Sequence, residues 1–294
     1  MLAIVIPFYK LTFFEKTLNS LAHQKDKRFA VYIGDDASPE NPTAVLEKYK
    51  NDFKFEYKRF EDNLGSVSLV KQWERCIAMS QEEEWIMILG DDDLLGETVV
   101  SEFYNALEEI KTTSNVVRFA SRKIDENGTA TSAIYTHPKT ELATDFLFRA
   151  TRSSLSEFVF NKNKISTIGF KNFPLAWYSD VLAVLEFSDF KTIYTVNQAT
   201  VSVRISNLSI SGGTDNLRPK YRAAFQFYYY LLNQKKANFS KEQIKELLHK
   251  ISKTYVYNKK EVAFFFKISK LYLRNLFVAD YLGFIKTVLS NYFK

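Results

Sequence analysis

"WIMILGDDDLLGE" occupies residues 85–97 and sets an apolar run of strand type directly against three consecutive aspartates, Asp91, Asp92 and Asp93. Adjacent carboxylates repel one another, so the cluster costs stability unless something compensates its charge. Four other runs share the character of the first half: "LAIVIPF" (2–8), "FAVYIGD" (29–35), "FKFEYKRF" (53–60) and "NVVRFAS" (115–121). All are short and rich in β-branched and aromatic residues, the composition of buried strands. Between them lie amphipathic stretches of helical period, "FFEKTLNSLAHQ", "PTAVLEKYK", "SVSLVKQWERCIAMSQ" and "ETVVSEFYNALEEIK". Strand and helix alternating in this way predict a doubly wound, mostly parallel sheet with helices on both faces.

In such sheets ligands sit beyond the carboxyl ends of the strands. "YIGDDASPEN" (32–41) places Asp35 and Asp36 at the end of the second strand, and Asp91 to Asp93 follow the fourth, so two acidic clusters converge on one rim. The first cluster also reads as a turn, with Ser38 capping a helix that has Pro39 at its first position. One aspartate would satisfy a turn after the fourth strand; three call for a counter-cation, and a hard divalent ion such as Mg²⁺ or Mn²⁺, shared with a phosphate-bearing ligand, suits oxygen donors. The two common phosphate-binding signatures are missing: there is no GxxxxGK[ST], and the turn after the first strand, "PFYKLTFFE", is not GxGxxG.

Composition narrows the field further. A chain of 294 residues, 46% hydrophobic and 25% charged, can bury a substantial core. It contains no apolar run long enough to span a bilayer and opens without a basic leader, which points to a cytoplasmic protein. Cys76 is the single cysteine, and the three histidines are scattered, so a metal would be held mainly by oxygen. The net charge of +6 conceals an asymmetry: residues 217–294 carry 16 Lys and Arg against 4 Asp and Glu, while residues 1–216 carry 24 against 30. This shift near "SGGTDNLRPK" (211–220) predicts a body of residues 1–216 and a basic, aromatic, helical extension of residues 217–294.

The motifs of the body resemble those of the family 2 glycosyltransferases of the GT-A fold. Their first strand ends in V-x-P-x-Y-N, matched by "IVIPFYK" with Pro7 and Tyr9; their DDxS is matched by Asp35, Asp36 and Ser38, and an N-x-G by Asn63 and Gly65. "GDDDLL" is similar to the metal-binding DxD region, "FPLAWYSDVLAVLEF" (173–187) to the segment that carries the catalytic carboxylate, and "VRISNLSIS" (203–211) to an R-x-S-x-x-S-x-S stretch. Two positions depart from the pattern: Gly90 stands where many members have an aspartate, and Lys10 where asparagine is usual, either against a phosphate or in solvent.

The resemblance implies a metal-dependent, inverting transfer of a sugar from a nucleotide donor, a UDP-sugar, to a hydroxyl of a glycan or lipid-linked acceptor. Pro7, Tyr9, Asp35, Asp36, Asn63, Gly65 and Asp91 would hold the donor, Asp92 and Asp93 the Mn²⁺ or Mg²⁺ ion, and Arg204 the diphosphate. Asp180 would be the general base, with a helix N-cap as the competing account. Trp177 and Tyr178 offer rings for stacking on the acceptor sugar, or else belong to the core. For Arg204 the alternative is a structural pairing with an aspartate. Another reading is a non-catalytic nucleotide- or glycan-binding relative with the same fold, and a third is a basic adaptor acting through the tail. The lysine-rich aromatic helices of that tail suit either packing on the body or peripheral contact with an anionic membrane, at the inner face of the cell membrane. No nucleic-acid motif accompanies the charge, so nucleic acid is not an expected partner.

Overall fold

The computed structural model describes residues 1–149, 154–207, 209, 216–257 and 261–292. The described residues form two compact units, Met1–Asn172 with Ser179–Gly213, and Phe173–Tyr178 with Thr214–Lys294.

The first unit is built on one mixed sheet. Its elements run β1 (Leu2–Phe8), α1 (Phe14–Ala22), β2 (Phe29–Asp35), α2 (Thr43–Tyr49), β3 (Phe55–Arg59), α3 (Leu69–Ile77), β4 (Trp85–Ile88), β5 (Leu94–Leu95), α4 (Val99–Thr113), β6 (Val116–Ile124), β7 (Thr140–Leu142), α5 (Ala143–Phe148), β8 (Phe158–Asn161), α6 (Lys162–Ile168), α7 (Ser179–Phe187) and β9 (Thr192–Arg204). The sheet order is β3-β2-β1-β4-β8-β6-β9-β5, with β7 also on β9. Strands β3, β2, β1 and β4 are parallel neighbours, as the alternation of strands and helices requires. The sequence pattern does not anticipate the next step: β8 enters antiparallel between β4 and β6, and β9 then runs parallel to β6. The fold is therefore a mixed, mostly parallel sheet of GT-A type flanked by helices.

Both faces of β1 are buried, which explains why it reads as a continuous apolar run instead of an alternating one. Leu2, Ile4, Ile6 and Phe8 share a core with Phe14, Leu18 and Leu21 of α1, Met87 of β4 and Phe103 of α4. In register, Phe8 pairs with Asp35, and the Asp36 N–H donates to the Phe8 carbonyl at 3.0 Å, so the ends of β1 and β2 finish level. Because β4 flanks β1 on its other side, the loop after β4 opens onto the same rim.

The second unit is helical: α8 (Leu217–Gln234), α9 (Lys241–Tyr257), α10 (Val262–Arg274) and α11 (Val278–Tyr292). Phe225 and Phe227 of α8, Leu247, Leu248 and Ile251 of α9, and Ile268 and Leu271 of α10 are buried. Phe264 is buried too, its ring stacked on Phe225 at 3.6 Å, whereas Phe266 is 65% exposed. The aromatic stripe thus divides by helical phase into a core side and a water side. No helix among the described residues is long and apolar enough to cross a membrane.

Candidate active site

The three aspartates after β4 have three different environments. Asp91 turns back toward β1, where its Oδ2 accepts from the backbone N–H of Tyr9 and of Lys10, each at 2.9 Å. Thr17 of α1 donates to the Asp91 carbonyl at 3.1 Å. Burial pushes the Asp91 carboxyl above the ordinary carboxylate range, against those two N–H donors. Asp93 is buried, with Oδ1 accepting from the Arg204 N–H at 2.8 Å and Oδ2 from the Ser156 hydroxyl at 2.5 Å. The same Ser156 oxygen accepts the Gly90 N–H at 3.0 Å. Burial, opposed by these donors, raises the Asp93 carboxyl to about 6.

Asp92 lies between them, and no other residue among those described donates a hydrogen bond to its carboxylate. Burial first, then the charges of Asp93 and Asp91, push it up to about 8. Of the two aspartates expected to bind a metal, then, Asp93 is engaged through both oxygens in holding the loop, and Asp92 is the open carboxylate. Among the described residues there is no group of three or more His, Cys, Asp and Glu side chains placed to hold a metal ion. A Cβ on Gly90 would stand 3.0 Å from Asp92 Oδ1 and 3.2 Å from Asp93 Oδ2, so the departure from the usual motif at this position coincides with a tightly closed loop.

Arg204, the last residue of β9, is 2% exposed and knits this loop from behind. Its Nε donates to the Asp92 carbonyl at 2.9 Å, and its Nη1 to the Asp125 carbonyl at 2.5 Å and the Glu126 carbonyl at 3.1 Å. The guanidinium carbon lies 4.4 Å from the Phe13 ring centroid, while Nη2 is buried without a partner. The Arg204 side chain thus bonds the backbone of this loop and of the turn after β6.

The acidic pair at the end of β2 is likewise occupied. Asp35 is wholly buried: Oδ2 accepts from Tyr57 at 2.5 Å and from Arg59 at 2.9 Å, and Oδ1 from the Ser38 N–H at 2.7 Å. Ser38 in turn donates to the Tyr9 carbonyl at 2.7 Å and accepts the Glu40 N–H, so the stretch is a turn; the expected helix capped by Ser38 does not form there, because α2 starts only at Thr43 with Pro42 before it. Asp36 clamps the 63–65 turn, its two oxygens accepting from the N–H groups of Leu64 and Gly65 at 2.8 Å each, and Arg75 of α3 pairs with it as well as with Asp62. Burial outweighs these partners and raises the Asp36 carboxyl. Asn63 accepts the Ser66 N–H at 2.9 Å on the same turn, and Pro7 lies half-buried in β1.

Hydrogen bonds thus tie Tyr9 to Asp91 and, through Ser38, to Asp35, Asp36 to Gly65, and Asp93 to Arg204, around a rim on which Asp92 is half-buried and beside which Asn63 holds Ser66. Asp180 belongs to the same unit as the second residue of α7, half-buried in that helix's first turn. Trp177 and Tyr178 belong to the second unit. Tyr178 stacks on Phe227 at 4.6 Å and 10° and shares a hydrogen bond with Tyr228 at 3.1 Å, so one ring face is already covered. Lys220 lies 4.9 Å above the Trp177 ring. Leu175, Ala176 and Tyr178 all have positive φ, a run of left-handed conformations that non-glycine residues seldom adopt together. Sequence reading missed Arg75, Ser156, Tyr57 and Arg59; each lies in an element read for its apolar face or in a stretch without periodicity, and only the sheet order brings them to the rim.

A sequence profile described as glycosyl transferase family 2 matches residues 3–179. No curated protein matches the chain. Among solved structures, S. aureus TarS 1–349 in complex with UDP-GlcNAc is similar with a TM-score of 0.66 at 16% identity, covering 88% of this chain and 74% of that one. The complex of the same fragment with UDP gives 0.62 at 16% identity, covering 88% and 73%. A longer S. aureus TarS structure gives 0.62 at 14% identity, covering 86% of this chain and 43% of that one.

Proposed function

The chain belongs to glycosyl transferase family 2 and is a glycosyltransferase, and from that premise we propose that it moves a sugar from a UDP-sugar to a hydroxyl of a glycan or lipid-linked acceptor with inversion. One observation carries the reading: Asp92 is a half-buried carboxylate without a donor of its own, on the rim where the ends of β1 and β2 meet the loop after β4. Support for UDP as the nucleotide comes from the fold shared with TarS, which has been crystallised with UDP and UDP-GlcNAc.

Asp92 is the one open carboxylate that would hold a Mn²⁺ or Mg²⁺ ion, as an ion shared with the phosphate-bearing donor. Such an ion, when bound, supplies charge neutralisation for the departing nucleoside diphosphate. The protein's own groups do the rest. The 63–65 turn, held by Asp36, and the Tyr9 backbone, held by Asp91, position the nucleoside. Arg204 Nη2 donates to the diphosphate. Asp180 takes the proton of the acceptor hydroxyl as its oxygen bonds to the anomeric carbon and the bond from that carbon to the phosphate oxygen breaks. In this reading the catalytic domain is residues 1–216, and the basic extension of residues 217–294 rests against an anionic membrane at the cytoplasmic face.

A donor screen in Mn²⁺ with mixed acceptors, following nucleoside diphosphate release and thermal shift together, tests it. Release with a UDP-sugar supports the reading; a thermal shift without release under every acceptor would favour the non-catalytic relative instead.

A further inference from the structure

Apart from the aspartate rim, the first unit carries a second concavity of about 740 Å³, walled by α1, β5, the ends of β6 and β9 and the turn that follows β6. That volume lies within the range of small-ligand sites, roughly 300–1,000 Å³. Its lining combines three kinds of group. Tyr49 and the half-exposed Ile134 give apolar surface, Asn19 and Asn127 give amides able both to donate and to accept, and Lys16 and Arg122 give two cations.

The charges identify the ligand class. Arg122 is held by one bond, its Nε donating to the Ser202 hydroxyl at 3.0 Å, which leaves the outer guanidinium nitrogens facing no carboxylate among the described residues. Lys16 has no ion pair among the described residues either. The one carboxylate of the lining, Glu15, is paired with Lys48 at 2.8 Å. Two uncompensated cations therefore share a cleft in a body whose overall balance, 24 basic to 30 acidic residues, is negative. An anion resolves that arrangement. The amides and the apolar patches add a preference for a ligand with many hydroxyls and with C–H faces.

We propose that this cleft binds an acidic saccharide of one or two rings, with Lys16 and Arg122 on its anionic group and Asn19 and Asn127 on its hydroxyls. None of the four belongs to the donor framework, so this site stands independently of the donor reading.

Calorimetric titration of the full chain with trigalacturonate tests the proposal, with glucose 6-phosphate as a second anionic probe and maltotriose as the neutral control. Saturable binding of either anionic probe is expected, about tenfold weaker in Lys16→Gln and in Arg122→Gln, one charge-assisted bond's worth, with maltotriose weaker still. Whichever probe binds more tightly names the anion, carboxylate or phosphate. Saturating UDP should leave this binding unchanged, and failure of UDP itself to bind would bear on the donor site alone. The proposal is overturned if neither anionic probe saturates, if the exposed Lys16→Gln variant binds as the parent does, or if UDP displaces the saccharide.

Discussion

The Arg204 N–H donates to Asp93 Oδ1 at 2.8 Å and so fastens the last residue of β9 to a loop 111 residues earlier in the chain. Ser156 completes the clamp by donating to the other oxygen of Asp93 while accepting the Gly90 N–H. Replacing Ser156 with Ala removes a donor to a buried carboxylate and leaves the Gly90 N–H unpaired. The expected loss of stability is about 1.5–3 kcal/mol, the range for hydrogen bonds to charged groups. Denaturant unfolding of the full chain measures it, and an unchanged midpoint would show that water replaces the hydroxyl without cost.

Asp92→Asn should act in the opposite direction on the metal-free protein. A carboxyl whose folded pKa is raised binds its proton more tightly when folded, so the folded state is favoured at low pH and loses that advantage as pH rises. For Asp92 the window runs from the ordinary carboxylate value of 3.8 to about 8. The variant should therefore melt higher than the parent at pH 8, by about 2–4 °C per kcal/mol of repulsion removed, and match it near pH 4. In Mn²⁺ it should lose donor binding. A melting difference of the same size at both pH values would mean that charge is not the cause.

The parallel half of the sheet was legible because its strands are short apolar or aromatic runs separated by amphipathic helices, with β1, β2 and β4 buried on both faces and only the edge strand β3 open to water. Strands β8 and β9 were not. "FVFN" is too short to be told from the loop around it, and "TIYTVNQATVSVR" follows α7 with polar residues where pairing with β6 shifts register after Phe119. At the site, residue types and strand ends located Asp35, Asp36 and Asp91 to Asp93, but not their division of labour. That division depends on long-range donors such as Arg204 and Ser156, whose approach follows from the position of β9 and of the short helical turn before β8.

Gly65 is expected to be required for its lack of a side chain. A Cβ there would fall 2.5 Å from Asp36 Oδ2, the oxygen that accepts the Gly65 N–H. Gly65→Ala must displace either the turn or the carboxylate, and the expected result is a loss of UDP affinity of about tenfold, one charge-assisted bond's worth, read by calorimetry in Mn²⁺. UDP affinity equal to the parent's would remove the 63–65 turn from the donor site.

Asp180→Asn keeps the shape of the side chain and its place in the first turn of α7 but cannot accept a proton. If Asp180 is the base, transfer should fall by roughly 10²–10⁴-fold while UDP binding and melting temperature hold. The competing account, a carboxylate stabilising the helix N-terminus, is worth about 0.3–1 kcal/mol and would lower the melting temperature with little effect on turnover. Measuring both quantities on one preparation separates the two.

The outer face of the helical unit supplies the last prediction. Along α10, Val262, Phe266 and Leu273 are 57%, 65% and 54% exposed, and Lys267, Lys270 and Arg274 lie among them at helical spacing. Leu276 after α10 and Leu282 on α11 add 84% and 63% exposed apolar side chains. Within the Phe264–Phe266 run Phe264 is buried, which leaves Phe266 as the outward ring. Apolar anchors beside lysines suit the surface of an anionic bilayer, where each basic residue contributes about 1 kcal/mol and salt screens the attraction beyond about 8 Å. Purified protein should bind vesicles containing phosphatidylserine at low salt and release from them at high salt. Phe266→Ser should weaken that binding at every salt concentration, because it removes apolar insertion, whereas Lys267→Gln with Lys270→Gln should weaken it mainly at low salt. Neither change touches the buried core of the helices, so melting temperature and transfer to a soluble acceptor should stay at the parent level. Equal binding to neutral and anionic vesicles would remove the charge from this account, and no binding to either would leave the exposed stripe without a membrane role.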